Sequence, residues 1–476
     1  MTIYKMKKYI TKIVMVAILT ITILSCTVSK DIEAPKEILP ENFRNQVVAD
    51  TTNSAAIKWK SFFEEPDLVK LIDIALIKNN DLQIAEKNIA IANLQFKQSK
   101  WGNIPQLNAY ATAVTNRLSD NSLNGLSTSQ FLGQQHLEDF SAGLNLSWEA
   151  DIWGKIKNQK KSALAAYMQT AEAKKALQTT IVATVSKGFY DLLMLDAQLE
   201  IAKKTLVLND STLFIVNLQF ESGQLTSLAK DQTEAQRLVA AQLIPKLEQN
   251  IEIQENALSV LSGSFPDAKE RESKLNTILV KENLSAGIPS KLLEKRPDVK
   301  SAELAVTMAN AKVGITKASL YPALNITAVT GVNSFEFNNW FNIPASLFGS
   351  VTGGLTAPIL NSKKLKTQYE VAKVQREQSI LQFKQTVLVA VQEVSDALAK
   401  IKKQEEQYDI AKQRVEKLQK AIGNADMLFK SGMATYLEVI VAQGNLLAAE
   451  LELATIKKDR LSSNVELYRA LGGGWE

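Results

Sequence analysis

Cysteine and histidine are almost absent from this sequence of 476 residues, which has one of each, Cys26 and His136. A single cysteine excludes an intrachain disulfide, and this pair is too small a set for the usual zinc sites. A hydrolytic triad would have to use His136, which lies in a polar stretch that predicts an exposed loop. The sequence therefore predicts a protein that is not an enzyme and has no bound metal or cofactor.

Basic charge is also scarce once the N-terminal segment is set aside. The net charge is +5, and four of those charges come from lysines at positions 5, 7, 8 and 12, in a segment without acids. The remaining chain is close to neutral, which predicts no nucleic-acid partner. A phosphate-binding loop of the form GxxxxGK[ST] is missing too, so no nucleotide-driven step is expected.

The first 25 residues have the pattern of a signal peptide. Lysines precede Ile13–Leu24, an apolar run that is too short to span a bilayer as a helix. The run ends in Ile23-Leu24-Ser25-Cys26, which resembles a bacterial lipobox, although smaller residues are commoner at the position of Leu24. The resemblance implies cleavage before Cys26 and acylation of that cysteine. The alternative is an ordinary signal peptide with an incidental cysteine.

The remainder of the chain repeats itself. A helical run that ends in X-Pro and a strand extends from Ala85 to Asn108 and recurs from Ala302 to Asn325, at an offset of 217 residues. Phe220-Glu-Ser-Gly223 recurs as Phe429-Lys-Ser-Gly432, at an offset of 209 residues. Two matches in the same order indicate a tandem duplication. The predicted parts after the signal peptide are a lipidated, proline-interrupted tether (26–50), a first repeat (51–262), a linker (263–297) and a second repeat (298–476).

Each repeat contains a very long helical pattern. Residues 155–220 and 363–430 contain no proline, and continuous helices of that length would reach about 100 Å. Their apolar residues step by three and four, as along a coiled-coil seam. The two series are Leu192, Leu195, Leu199, Ala202 and Leu206, and Val387, Val391, Val394, Leu398 and Ile401. An ordinary buried stripe has the same spacing, and only the length of the runs favours the coiled coil.

Ser-Gly pairs interrupt both helical patterns, at Gly223 and Gly432. Glycine permits the positive φ of a helix C-terminal cap, so each pair is interpreted as the tip of a helical hairpin. The predicted hairpins cover 155–262 and 363–471. Pro245 lies in the returning helix of the first hairpin and is expected to kink or break it.

Four shorter segments alternate apolar and polar residues, as β-strands do. They cover 105–117, 139–150, 322–334 and 346–357, and the last is glycine-rich and less regular. Strands of about ten residues with one apolar face are typical of transmembrane barrels, but the smallest bacterial barrel has about eight strands. Several chains could share one barrel, or the strands could form a soluble sheet. The near absence of charge favours the barrel, since Glu336 alone is charged between residues 318 and 362.

Residues Ala286–Glu303 look like the central signature of TolC-like outer-membrane efflux proteins, in their lipoprotein branch. Trp59–Leu68, Asn79–Leu82 and Leu258–Gly263 fit the same family, and the resemblance covers nearly the whole mature chain. It implies a mainly α-helical fold with a transmembrane β-barrel portion. In such a homotrimer each chain gives four strands to one twelve-stranded barrel, and its hairpins to an α-barrel in the periplasm. Arg296-Pro297-Asp298 is interpreted as a helix start rather than a catalytic site.

The resemblance implies the exit channel of a tripartite efflux pump, lipid-anchored in the outer membrane. Such a channel passively conducts small molecules such as drugs, detergents or metal ions. Its partners would be a periplasmic adaptor protein and an inner-membrane pump. Two alternatives stay open: the outer-membrane channel of a type I protein secretion system, and a periplasmic coiled-coil scaffold without a pore.

The resemblance also implies a gate near the second tip. In the family, acids on the returning helix form a charged constriction, most often nine residues after the tip glycine, which is Val441 here. Some members use the position six residues after it, which is Glu438. Residues spaced i, i+3 share a helix face, so three Glu438 carboxylates are expected to form a ring with Val441 as an apolar collar. The alternative is that Glu438 is an exposed acid at a helix start, stabilised by the helix dipole.

Overall fold

The computed structural model describes residues 40, 42–44, 57–281, 284 and 286–476. Cys26 lies outside the described residues, as does most of the predicted tether. The helices are α1 (Pro66–Lys78), α2 (Asn80–Lys100), α3 (Leu123–Leu132), α4 (Lys155–Glu221), α5 (Ser227–Leu261), α6 (Pro297–Ala318), α7 (Lys364–Lys430) and α8 (Tyr436–Ala470), with single helical turns at Trp59–Phe62 and Leu292–Lys295. The strands are β1 (Gln106–Arg117), β2 (His136–Ala150), β3 (Ala323–Ser334) and β4 (Leu347–Thr356).

The chain divides into two compact units that do not coincide with the two sequence repeats. One unit takes Ile91–Tyr167 and Leu304–Ile380, and the other takes Met168–Glu303, Leu381–Glu476 and the described residues before Ile91. Each unit therefore combines pieces from both halves of the sequence. The repeats are units of sequence, whereas packing brings together corresponding pieces of each.

The first unit contains one antiparallel sheet in the order β1-β2-β3-β4. The prediction that His136 lies in a loop was wrong. His136 is the first residue of β2, opposite Arg117 of β1. The strand begins earlier than its alternation indicated because β1 offers backbone partners as far as Arg117. The side chain of His136 is exposed. Helix α3, which the sequence patterns did not predict, connects β1 to β2.

The centre of the sheet requires glycine at two facing positions. Gly143 of β2 lies opposite Gly331 of β3. A Cβ atom at Gly143 would lie 2.4 Å from the Thr330 carbonyl oxygen, and one at Gly331 would lie 2.1 Å from that of Ala142. These distances leave no room for any other residue, so the two strands approach more closely here than side chains would allow.

The second unit contains most of two helical hairpins with matching dimensions. Helices α4 and α7 each have 67 residues, and their returning helices α5 and α8 each have 35. At the tips, Gly223 and Gly432 have φ of +75° and +72°, as the glycine caps predicted. The N–H of Gln224 donates to the Gln219 carbonyl at 2.8 Å, and the second tip repeats this bond. The mainly α-helical fold with four strands and internal duplication is confirmed.

Helix α5 does not break at Pro245 and runs from Ser227 to Leu261. Proline removes one backbone donor, which frees the carbonyl four residues earlier. Pro245 itself is exposed, so its ring lies away from the buried seam. Of the two predicted outcomes, a kink or a break, the break does not occur.

The coiled-coil series predicted from the sequence lies at buried or half-buried positions. Leu192 and Ala202 of α4 are fully buried, and so are Val387 and Val394 of α7. Near the C-terminus, the Phe62 ring stacks on Tyr468 of α8 with 4.1 Å between centroids. Hydrophobic burial along these helices is the main favourable term in their packing, since helices gain little stability alone.

Arg296 holds three elements of the second unit together. The residue is 4% exposed. It donates two hydrogen bonds to the Asp298 carboxylate, at 3.0 and 2.6 Å, and one to Glu393 of α7 at 2.7 Å. It also donates to the carbonyl of Ala470, the last residue of α8, at 2.8 Å. Pro297 begins α6, as predicted, but no sequence pattern indicated that Arg296 would be buried.

The same contacts act on the Asp298 carboxyl. Burial alone would raise the pKa of Asp298, but hydrogen bonds and charge from Arg296 outweigh it and hold that pKa below its usual value. A carboxylate whose pKa is lowered by folding stabilises the fold above its unfolded pKa. This contribution is lost as the pH falls through the folded pKa.

We predict that Arg296→Lys lowers the free energy of unfolding by about 2 kcal/mol at pH 7, because lysine cannot replace the forked contacts to Asp298 and Glu393. The difference from the unsubstituted protein should shrink below about pH 4, where Asp298 is protonated in the unfolded chain. Thermal unfolding of the two proteins in detergent, at pH 7 and below about pH 4, measures this difference in stability. The control is Arg414→Lys, in the exposed pair with Glu452, which should cost under about 0.5 kcal/mol. Equal losses in both variants would contradict the role of Arg296.

Candidate functional site

The register of the sheet gathers the apolar residues of all four strands on one face. Leu107, Leu146, Ala328 and Val351 lie opposite one another across β1 to β4. Side chains two residues apart share a face of a strand. The apolar face therefore comprises Leu107, Ala109, Ala111, Ala113, Phe140, Ala142, Leu144, Leu146, Trp148, Leu324, Ile326, Ala328, Val332, Leu347, Val351 and Leu355.

The opposite face of the sheet is polar but almost uncharged. Its polar residues include Asn108, Tyr110, Thr112, Ser141, Asn145, Ser147, Asn325, Thr327, Asn333, Ser350 and Thr352. Charged residues of the strands lie only toward their ends, at Arg117, Glu138, Asp139 and Glu149. One apolar and one polar face are the pattern of a membrane barrel, whose outer surface meets lipid and whose inner surface meets water.

Aromatic residues lie at both ends of the sheet. Trp148 and Trp153 donate ring N–H groups to the carbonyls of Asn103 and Pro322, at 3.0 and 2.7 Å. Phe140, Phe337 and Trp340 contact one another at the other end, with Phe140 and Phe337 centroids 5.4 Å apart. Aromatic girdles of this kind mark the two interfaces of a transmembrane barrel.

Both edges of the sheet are open in a single chain. Within the described residues, β1 pairs only with β2 and β4 pairs only with β3. Each outer edge therefore presents a row of backbone N–H and C=O groups without a partner strand. Hydrocarbon does not tolerate such groups, so the sheet can enter a membrane only as part of a closed barrel.

The two hairpin tips pack on each other. Val216 and Ala229 of the first hairpin form a buried cluster with Phe429 and Val439 of the second. Close by, the Tyr436 hydroxyl donates to the Gln232 side-chain carbonyl at 2.6 Å. These contacts join residues about 200 positions apart, which the sequence analysis did not connect.

Gln443 makes a further contact between the hairpins that the sequence analysis missed. It is 2% exposed, and its amide donates to the Thr212 hydroxyl at 2.8 Å. Gln443 lies one helical turn from Val439 and one from Leu447, both buried. A polar residue within an apolar stripe was the available signal for this buried bond.

Glu438, one of the two predicted gate residues, forms a capping box at the start of α8. Its carboxylate accepts hydrogen bonds from the Thr435 backbone N–H at 3.0 Å and from the Thr435 hydroxyl. The Thr435 hydroxyl bond and the backbone N–H bonds lower the pKa of Glu438, so it stays ionised to lower pH than a free glutamate. Glu438 and Val441 are both exposed in the single chain. This geometry matches the helix-start alternative and leaves the charge exposed.

The described residues contain no group of three or more His, Cys, Asp or Glu side chains close enough to hold a metal ion. The two faces of the sheet and the exposed tips are candidate surfaces for function. A two-faced sheet with open edges, combined with long helical hairpins, defines a chain that contributes to a channel through a membrane.

The sequence model of the outer membrane efflux protein family matches residues 71–264 and 288–473. The chain belongs to the outer membrane efflux protein family, which is a family of channels rather than of enzymes. The two matched segments correspond to the two halves of the duplication. The family predicted from Ala286–Glu303 is confirmed, together with the outer-membrane location and the periplasmic helical portion.

The relatives are named for efflux. The cation efflux system protein CusC of Escherichia coli O6:H1 is 28% identical over 459 residues, which are 96% of this chain and 97% of CusC. The solvent efflux pump outer membrane protein SrpC of Pseudomonas putida is 30% identical over 429 residues, 89% and 88% of the two chains. A crystal structure of CusC superimposes with a TM-score of 0.81 at 27% identity, covering 94% of this chain and 100% of that one.

We predict opposite outcomes for lysine at two neighbouring positions of β3. Ala328 lies on the apolar face and Thr327 on the polar face. A lysine that faces the bilayer midplane costs about 2–4 kcal/mol, so Ala328→Lys should destabilise the folded protein in lipid. Thr327→Lys should cost little because its ammonium reaches water. Denaturant unfolding in vesicles compares the two variants, and an equal loss would refute the assignment of the faces.

Proposed function

We propose that three copies of this chain form one channel that passively conducts small molecules or cations out of the periplasm. The observation that carries this proposal is a sheet with one apolar face and two open edges. Pairing β4 of one chain with β1 of the next would satisfy both edges and close twelve strands into a barrel. The polar face would then line the pore, and its hydroxyl and amide groups would let cargo pass without holding it.

The efflux assignment is favoured over the two alternatives. A scaffold without a pore has no use for the apolar face, which would be costly to expose to water. Relatives that export cations and solvents favour an efflux pump over a protein secretion system. In this proposal a periplasmic adaptor protein and an inner-membrane pump select the cargo, and Cys26 carries acyl chains that tether the N-terminus. Each buried methylene adds about 0.8 kcal/mol to such membrane attachment.

Disulfide trapping tests the shared barrel. We expect Thr352→Cys on β4, combined with cysteine at Asn108, Tyr110 or Thr112 on β1, to give covalent trimers in at least one pairing. All four positions lie on the polar face. Within one chain, β1 and β4 are separated by two strands, about 14 Å, which is too far for a disulfide. Non-reducing gels with and without reductant provide the readout.

The control for trapping is Thr352→Cys combined with Ser141→Cys on the central strand β2, which should stay monomeric. The unsubstituted protein, whose one cysteine is Cys26, shows the background. Only monomers in every β1–β4 pairing would exclude direct pairing of these edges.

We also propose that three Glu438 carboxylates form a charged ring at the periplasmic end of the pore, with Val441 as an apolar collar. The capping box does not compete with this role, because it fixes the carboxylate while the residue stays exposed. The capping bonds lower the pKa of Glu438, which favours the charged form that such a ring needs. A ring of carboxylates favours the passage of cations.

Two substitutions separate the charge of Glu438 from its capping bond. Glutamine can also complete a capping box, so Glu438→Gln should remove the charge and retain the helix start. We expect this variant to lose cation selectivity and divalent-cation block in single-channel recordings. Glu438→Ala should lose both the selectivity and up to about 1 kcal/mol of stability. The control is Glu234→Gln on exposed α5. Unchanged selectivity in Glu438→Gln would leave only the capping role.

A further inference from the structure

Lysines concentrate beside one end of the sheet, where strands begin or end. The strands are antiparallel, so the starts of β1 and β3 and the ends of β2 and β4 lie at the same end of the sheet, next to α2, α4, α6 and α7. The chain segments next to it are 97–105, 149–161, 312–322 and 357–366. They contain eleven lysines and two acids, and the lysines are Lys97, Lys100, Lys155, Lys157, Lys160, Lys161, Lys312, Lys317, Lys363, Lys364 and Lys366. This set is named the lysine belt.

Packing keeps the lysine belt close to the sheet. The ring of Trp153, before α4, stacks on Tyr321, before β3, with centroids 4.8 Å apart. A Cβ atom at Gly314 of α6 would lie 2.6 Å from the side chain of Asn158, so α6 and α4 are in direct contact. Every lysine of the belt lies within about eleven residues of a strand end, or about 15 Å along a helix.

The two acids of this region are already engaged. Glu149 accepts a salt bridge from Lys155 at 2.9 Å. Asp151 accepts the backbone N–H groups of Ile156 and Lys157 at 2.9 and 2.8 Å, which caps α4. The belt therefore carries a large excess of positive charge, and most of its lysines are exposed.

Exposed apolar residues lie between this end of the sheet and most of the lysine belt. Trp101 and Ile104 are 67% and 50% exposed, and Ile359 and Leu360 are 91% and 95% exposed. Across a membrane interface, aliphatic and aromatic side chains lie near the acyl chains and lysines lie near the headgroups. The residues at this end of the sheet follow the same order.

The opposite end of the sheet has the opposite charge. Between residues 117 and 139, and between 335 and 346, the charged residues are Arg117, Asp120, Glu138, Asp139 and Glu336, with no lysine. The two ends of the sheet therefore differ in the sign of their charge. A general attraction of lysine to barrel ends cannot account for the belt.

We propose that the lysine belt binds the headgroups of anionic phospholipids in the periplasmic leaflet of the outer membrane. The inference rests on the proposed function, in which the sheet spans that membrane and the end of the sheet next to the helices faces the periplasm. Lysine ammonium groups and lipid phosphates are complementary in charge. Each lysine close to an anionic membrane surface strengthens binding by about fivefold, and salt weakens the effect.

The test uses the full-length trimer in a neutral detergent, with phosphatidylglycerol as the probe and phosphatidylcholine for comparison. The belt variant carries Lys100→Gln, Lys157→Gln, Lys363→Gln and Lys364→Gln. Its control carries the same change at four exposed lysines of α7 outside the belt, Lys402, Lys412, Lys417 and Lys420. Thermal unfolding during a lipid titration gives the affinity, and native mass spectrometry counts the lipids retained.

We expect phosphatidylglycerol, but not phosphatidylcholine, to raise the melting temperature of the unsubstituted and control proteins. The affinity of the belt variant for phosphatidylglycerol should fall at least about tenfold. Retained affinity in that variant would overturn the proposal. So would equal stabilisation by millimolar inorganic phosphate, which would identify a free anion as the ligand.

Bilayer recordings separate this proposal from the channel function. The belt variant should still form trimers and conduct, because its changes lie outside the barrel and the tips. A change in ion selectivity with unchanged lipid affinity would instead place these lysines in the pore and overturn the lipid assignment. Failure of the unsubstituted protein to conduct would refute the proposed function itself.

Discussion

The structure depends on one constraint, which is that backbone polar groups cannot be left unpaired in hydrocarbon. A four-stranded sheet with an apolar face has two rows of such groups, along the outer edges of β1 and β4. A soluble protein could leave those edges in water, but the apolar face assigns this sheet to the membrane. The need for partner strands makes assembly part of folding, and the fold of one chain is in this sense incomplete.

The helical hairpins meet a different requirement. In proteins most of the stability of a helix comes from packing of its apolar face, so these two helices of 67 residues depend on lateral packing. The apolar seam supplies that packing, and polar contacts fix how the helices are arranged. Arg296 joins the start of α6 to α7 and α8, and Gln443 joins α8 to α4. Buried polar groups are costly when unpaired, so these bonds disfavour other arrangements of the same seams.

The charged residues of the chain are nearly balanced in number but unevenly distributed between the two ends of the sheet. The whole chain is nearly balanced, with 55 basic and 50 acidic residues, yet one end of the sheet is rich in lysine and the other is acidic. Away from the strand ends the apolar face carries no charge, because lipid excludes it. A net charge computed for the chain conceals this division, which becomes visible only when the strand ends are aligned.

The sequence by itself determined much of what depends on neighbouring residues. Alternation in Phe140–Trp148 identified a strand, three-four spacing identified the seams, and Ser-Gly identified both tips, because each is a local backbone preference. Only the tertiary structure decided the register that aligns four apolar faces, the extension of β2 to His136 and the burial of Arg296. These features depend on partners that are distant in sequence, such as Arg117 for His136 and Glu393 for Arg296. No local periodicity reports where such partners meet, because that depends on how the strands and helices pack.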